Sequence, residues 1–346
     1  MKLSRRKRAG SAIARNRPAS SSASGADATV LLNGSGSTFA APLYMKWSDV
    51  FHRENPDIAL NYAAVGSGAG IANISAGTMD FGATDGPMSE EQLATLAVPI
   101  LHLPTALGAV VVTFNVNHID RLRFDPETIA DIFLGRITTW KDPSIRRSTS
   151  MPLPDAPITV VHRVDGSGTT YVFTDYLSKV STDWRSAVGR GTSVTWPVGL
   201  AGNGNQGVAD LVKETPNSIG YVELIYSEQH DLPYAGIRNR AGRYPLPTLE
   251  SVTAAARAAA EHMPADFRVS ITDAEAPDAD PISSFTWLLV PARIADAQKG
   301  TALKKFLEWM LADGQTLAPS LHYAPLPPHV IDLERHAIEQ IAVGTK

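Results

Sequence analysis

The chain of 346 residues contains no cysteine. That excludes a disulfide-stapled scaffold, a thiol nucleophile and a thiolate metal site. It also lacks a long apolar run. The longest stretch, around Leu107–Phe114, is half of the ~18 residues that a membrane helix requires. The signatures of several catalytic classes are missing too. The nine histidines are scattered with no H-E-x-x-H pair, no Walker A lysine follows any glycine loop, and no G-x-S-x-G elbow exposes a serine. What is present is an ordinary globular composition, 44% hydrophobic and 19% charged. At about 150 residues per domain the length predicts two domains with real cores.

Acidic residues are absent from the first stretch of chain, where Lys2, Arg5, Arg6, Lys7, Arg8, Arg15 and Arg17 stand before any acid. The remainder carries 24 basic against 35 acidic residues, a net of −11. A body this acidic repels a nucleic-acid backbone, so no nucleic-acid partner is expected. Any anion it binds must be held by local fields. Residues 1–30 read as a basic, then Ser- and Ala-rich extension without apolar periodicity, expected to be disordered. Ser4-Arg5-Arg6 has a trace of a twin-arginine export signal, but the apolar segment that should follow is missing.

From Thr29 onward, strand-like and helix-like segments alternate, which predicts an α/β protein with mainly parallel sheets. Val30–Leu32, the alternating Ile58, Leu60 and Tyr62, Met79–Ala83, Val110–Phe114, Ile158–His162 and Phe285–Val290 read as strands. Pro42 opens a helix whose face is Leu43, Tyr44, Trp47, Val50 and Phe51. Ser89-Glu90-Glu91-Gln92 is a capping box, and Asp125-Pro126-Glu127 caps a helix stopping at Gly135. Val172, Phe173, Tyr176, Leu177 and Val180 form another helical face, and Leu303–Met310 and Val330–Ile341 are amphipathic.

Three loops share one design. Asn33-Gly34-Ser35-Gly36-Ser37-Thr38-Phe39, Gly66-Ser67-Gly68-Ala69-Gly70 and Asp165-Gly166-Ser167-Gly168-Thr169-Thr170 each lie where a strand gives way to a helix. Such a loop offers backbone N–H groups, short hydroxyls and the positive end of a helix dipole, which together suit a tetrahedral anion. Any one of them is more simply a turn; three in the same context are not. Arg163 just precedes the third loop and can supply a bidentate pair to an anion, with Asp165 pinning its guanidinium.

Asp85, in Thr84-Asp85-Gly86-Pro87, ends a short apolar strand. An ionised carboxylate only accepts hydrogen bonds. Beside an anion it is repulsive unless the ligand carries a proton, as monohydrogen phosphate does at neutral pH and sulfate does not. Asp85 therefore predicts a site that takes phosphate and rejects sulfate. The plainer alternative is an Asp-Gly-Pro turn. Gly202-Asn203-Gly204-Asn205-Gln206-Gly207 matches G-x-G-x-x-G, but Trp196-Pro197 interrupts any strand leading into it, so it reads as a structural loop and not a dinucleotide site. His162 beside Arg163 reads as packed or solvated, not as a base.

At these residues the sequence resembles the periplasmic phosphate-binding proteins of high-affinity ABC phosphate transporters. The resemblance runs from about Leu31 to about Pro327. It is densest in Gly34–Phe39 with Pro42–Trp47, in Val65–Gly68, in Asp80–Asp85, in Arg163–Thr169 and in Trp196–Gly199. One departure is Ala40, where the family usually has proline. The resemblance implies a two-lobed periplasmic-binding-protein fold of type II-like topology, each lobe a mainly parallel sheet flanked by helices, with crossover strands as the hinge. It implies no enzyme activity and no cofactor. The partners it implies are inorganic phosphate and the permease subunits of an ABC transporter. It implies phosphate contacts at Thr38, Phe39 (main chain), Ser67, Asp85, Arg163, Ser167, Gly168 and Thr169, with Asp165 behind them. The expected division is residues 31–111 plus 285–346 for lobe one and 112–284 for lobe two. With no cysteine for a lipid anchor, a soluble periplasmic monomer is expected. The rivals are a binder of another tetrahedral oxyanion and a phosphate-ester hydrolase; the latter needs an activated nucleophile or a metal cluster.

Overall fold

The computed structural model describes residues 29–149 and 151–344. The basic extension, up to residue 28, lies outside the described residues. In chain order the elements are β1 (Val30–Gly36), α1 (Ala41–Glu54), β2 (Ile58–Ala64), α2 (Ser67–Ser75), β3 (Phe81–Thr84), α3 (Glu90–Ala94) and β4 (Ile100–Asn115). Next come β5 (Arg123–Phe124), α4 (Pro126–Phe133), α5 (Pro143–Ser148), β6 (Thr159–Arg163), α6 (Gly168–Val180), α7 (Thr182–Ala187), β7 (Leu200–Gly202), α8 (Gly204–Glu214), β8 (Ser218–Glu223) and α9 (Leu224–Gln229). After β9 (Gly236–Ile237), α10 (Leu249–Glu261) and β10 (Ser283–Pro291), the helices Ala297–Trp309 and Pro328–Glu339 lie near the end of the chain.

Among the described residues the main sheet has 8 strands in the order β2-β1-β3-β10-β4-β8-β6-β7, so the fold is mixed α/β. The pairing is parallel on both flanks, β2-β1-β3 and β8-β6-β7, and antiparallel through the centre, β3-β10-β4-β8. The 16-residue β4 joins the two flanks. Its Ile100–Ala109 segment pairs with β10, and its Val110–Asn115 segment pairs with β8. The apolar run read as one short strand is thus the second half of a much longer one, nearly all of it buried. Strands covered on both faces need continuous apolar sequence, which is what this run supplies.

The core is aromatic, and the indole edges of its four fully buried tryptophans are satisfied. Trp47, Trp140, Trp184 and Trp287 are fully buried, and each indole N–H donates to a carbonyl, of Gly314, Asn217, Gly189 and Phe267, at 2.8–3.0 Å. Burying such a ring with its N–H paired keeps the hydrophobic gain without an unmet donor. The Ser89 capping box forms as expected, with Gln92 as the reciprocal partner. Two expectations need correction. Asp125 stands at the N-cap of α4, but its carboxylate accepts from Arg238 Nε and Tyr244 Oη, both at 2.7 Å, and makes no cap. A charged donor outcompetes an uncharged backbone N–H. And a strand does lead into the G-x-G-x-x-G segment: β7 pairs with β6 beyond the Trp196-Pro197 interruption, and α8 follows. Three residues of strand flanked by proline and glycine leave too little periodicity to read from sequence.

Candidate functional site

Strands β1, β2 and β3 run one way, and β6 and β7 run the opposite way, because an odd number of antiparallel steps separates the flanks. The curl of the sheet brings their carboxyl ends face to face. In open α/β sheets that is where ligand-binding loops collect. Here the loop after β2 touches the loop after β6 through backbone: Gly68 N–H donates to Gly166 O at 2.8 Å. A Cβ on Gly68 would lie 3.0 Å from the Gly166 Cα, and one on Gly66, at φ +92°, would lie 2.5 Å from Asp165 Oδ2. Glycine is required there by close approach.

Asp85 follows β3 at the bottom of this cleft and is 1% exposed. Ser37 Oγ donates to its carboxylate at 2.6 Å, Thr286 Oγ1 at 2.7 Å and Ser67 Oγ at 3.4 Å. Burial pushes its carboxyl up from 3.8 to about 6, against the pull of the Ser37 and Thr286 hydroxyls and the Arg163 charge. Opposite it, Arg163 ends β6 and is 3% exposed. Its Nε donates to Asp165 Oδ1 at 2.7 Å and its Nη2 pairs with Asp165 Oδ2, while Nη1 reaches Thr169 Oγ1 at 3.4 Å. The fork grips one edge of the guanidinium and leaves the other facing the cleft. Burial alone would raise the Asp165 carboxyl, but hydrogen bonds and charge from Arg163, with the Gly204 N–H, hold it below the usual carboxylate range.

The remaining predicted residues converge on the same place. Ser67 begins α2 and Ser167 caps α6, its Oγ accepting from Thr170 N–H at 3.0 Å. Gly168 faces Asp85 and Ser67 so closely that a Cβ would lie 2.4 Å from Asp85 Oδ2 and 2.5 Å from Ser67 Oγ. Thr38 and Phe39 sit between β1 and α1. Tyr226 Oη donates to Thr38 O at 2.6 Å, and Tyr323 Oη to Phe39 O at 2.5 Å. Asp85, Arg163, Ser67, Ser167, Gly168, Thr169, Thr38 and Phe39 are thus all at one buried junction. The arrangement offers hydroxyl and guanidinium donors, two helix starts and one carboxyl that accepts, which suits a protonated tetrahedral anion.

Ser37, read from the first glycine loop as a candidate anion donor beside Thr38 and Phe39, gives its proton to Asp85 instead. Two contributors are not singled out by the sequence: Thr286, which reads only as a strand residue, and Asn205, which lies in the segment read as a structural loop. Asn205 is 0% exposed, and its Nδ2 spans the cleft from Thr38 Oγ1 at 2.9 Å to Thr169 Oγ1 at 3.1 Å. Its only sequence signal was its place in that glycine-rich segment. His162 stacks on Trp196, with ring centroids 5.0 Å apart, and its Nδ1 contacts Arg163 O, so it is a packed residue.

Comparisons with known proteins give the family. A family model described as a PBP superfamily domain matches residues 19–314. The phosphate-binding protein PstS of Xylella fastidiosa is 41% identical over 306 residues, covering 88% of this chain and 83% of that protein. The PstS of Pasteurella multocida is 40% identical, covering 87% of each chain. Among solved structures, a putative phosphate ABC transporter substrate-binding protein of Clostridium perfringens, with bound phosphate, superposes at a TM-score of 0.63 with 20% identity, covering 86% of this chain and 100% of that one. The family model and the identity to these relatives place the chain in the PBP superfamily and, within it, in the PstS family of phosphate-binding proteins.

Proposed function

We infer that the protein binds inorganic phosphate in this cleft and delivers it to an ABC-type phosphate importer. It is a solute-binding protein and not an enzyme. The observation that carries the reading is Asp85, a buried carboxyl set among hydroxyl donors with a buried Arg163 facing it. Thr38, the Phe39 main chain, Ser67, Ser167, Gly168, Thr169 and Arg163 donate to ligand oxygens. Asp85 accepts the proton that phosphate retains, and Asp165 orients Arg163. A ligand with no proton meets an unrelieved negative charge, a penalty of several kcal/mol in a dry site.

Phosphate then closes two lobes, 31–111 with 285–346 against 112–284, by hinge motion. The hinge lies where β4 changes partner from β10 to β8, and where β10 begins. The protein works as a monomer in the periplasm, and the membrane permease subunits receive the closed form. No helix of the described residues is long and apolar enough to cross a membrane.

Calorimetric titration with phosphate and sulfate side by side at neutral pH tests this. Phosphate binds and sulfate does not. Asp85→Asn narrows the preference by about a hundredfold, since a like-charge term of about 3 kcal/mol is removed. Equal binding of the two anions to the wild-type protein would overturn the reading.

A further inference from the structure

A threonine hydroxyl has one proton to give and two lone pairs to receive. In an anion site it helps only if its proton points at the ligand, and nothing in threonine itself enforces that. Thr38 and Thr169 solve this through one shared neighbour. Thr38 Oγ1 accepts from Asn205 Nδ2 at 2.9 Å and from Asn205 N–H at 3.4 Å. Thr169 Oγ1 accepts from Asn205 Nδ2 at 3.1 Å and from Arg163 Nη1 at 3.4 Å. Both lone pairs of each oxygen are occupied by groups that can only donate. Among the described residues neither hydroxyl donates to any protein acceptor.

The amide itself cannot flip. Glu223 N–H donates to Asn205 Oδ1 at 3.0 Å, and a backbone N–H cannot accept in return. The oxygen of the carboxamide is therefore turned to the end of β8, and the nitrogen to the two threonines. Ser37 and Thr286 are the contrast: their protons are already given to Asp85. Ser37 and Thr286 thus serve the carboxyl, while Thr38 and Thr169 are kept for the ligand; Ser67, at 3.4 Å from Asp85 Oδ2, lies between the two sets.

We propose that Asn205 is a positioning residue for phosphate, which fixes the hydroxyls of Thr38 and Thr169 as obligatory donors, one from each side of the cleft. It touches no ligand atom in this account and acts only through the two threonines. The proposal rests on the phosphate reading of the site and adds a residue to it. Because the nitrogen reaches both sides, Asn205 also ties the donor set to the closed arrangement: Thr38 follows β1, while Thr169 lies on α6 and Asn205 on α8.

The test is a set of variants of the full chain, freed of phosphate, with affinity read by equilibrium dialysis of labelled inorganic phosphate and folding read by thermal unfolding. Asn205→Ala should weaken phosphate binding by about a hundredfold, the worth of two charge-assisted hydrogen bonds of modest strength. Asn205→Asp keeps the shape but presents an acceptor, so the threonine protons turn into the protein; its loss should be larger still. In a Thr38→Val/Thr169→Val background, Asn205→Ala should add less than about threefold, because the groups through which it acts are gone. A purely structural role would lower the melting temperature and leave the affinity of the folded protein unchanged. Binding by Asn205→Ala within threefold of wild type would overturn the proposal. So would a cost that persists in full in the double-valine background. Failure of the wild-type protein to bind phosphate is a different result, since it removes the reading of the site itself.

Discussion

Asp85 is a carboxyl that folding makes less acidic, so its ionisation opposes folding. Its value rises from 3.8 to about 6, and buried Asp280 behaves alike, also at about 6 through burial. For such a group the sign is fixed by linkage. There is no penalty below the unfolded value near 3.8, a growing one up to about 6, and the full penalty above it. Ligand-free protein should therefore gain stability as pH falls from about 7 towards 5. Asp85→Asn should be the more stable protein at pH 7.5 by about 1–3 kcal/mol, with the gap closing towards pH 4. Denaturant titration of phosphate-free protein at several pH values measures this, and a less stable Asn variant at pH 7.5 would contradict the burial argument. Asp165 has the opposite sign. Its carboxyl is held low, so its contribution is present above the unfolded value and is lost only in stronger acid. The affinity of the cleft and its stability when empty thus pull Asp85 in opposite directions, a common condition of a binding residue.

At the scale of elements, the loops matter for what they omit. Gly168 opens α6 with ordinary helical backbone, so alanine is conformationally acceptable there. Its Cβ, however, would overlap Asp85 Oδ2 and Ser67 Oγ across the cleft. Gly168→Ala should reduce phosphate affinity by about a hundredfold or more and cost about 1–3 kcal/mol of ligand-free stability, because the added carbon overlaps a packed junction. An unchanged affinity in titration calorimetry would show that the two loops do not approach each other in the bound form. A second contact spans the same mouth. Arg268 Nη2 pairs with Glu90 Oε1 at 2.6 Å on α3, and Nη1 donates to Met88 O at 3.1 Å. Glu90 is largely exposed, so the pair is screened and its effect is modest. Arg268→Ala should speed phosphate release several-fold in stopped-flow displacement and slow association little, as expected for a contact made after closure.

For the molecule as a whole, the proposed function makes ligand and closure one equilibrium. A ligand held by both sides of the cleft stabilises the closed form by its differential affinity and nothing more. Saturating phosphate should raise the melting temperature, with about 2.7 kcal/mol of added stability at a hundred times the dissociation constant. Solution scattering should show a smaller radius of gyration with phosphate than without it. Sulfate at the same ionic strength should do neither. A phosphate-independent radius would mean that the cleft does not open in solution.

Much of this was legible in the chain before any coordinates, for reasons that are local. The α/β alternation follows from apolar periodicity, and the anion loops follow from glycine, serine and threonine at strand-to-helix junctions. Asp85 and Arg163 stood out because charge beside such loops needs a reason. The sequence alone offered the donor chemistry of the loops, and its resemblance to phosphate-binding proteins supplied the class of ligand. Tertiary structure decided which hydroxyl serves which acceptor. Thr286 reaches Asp85 from 201 residues away in the chain, and Asn205 reaches Thr38 from 167, so no local pattern could pair them. Hydrogen bonds are directional and short, and their partners are assigned only when the sheet curls and the opposed strand ends meet.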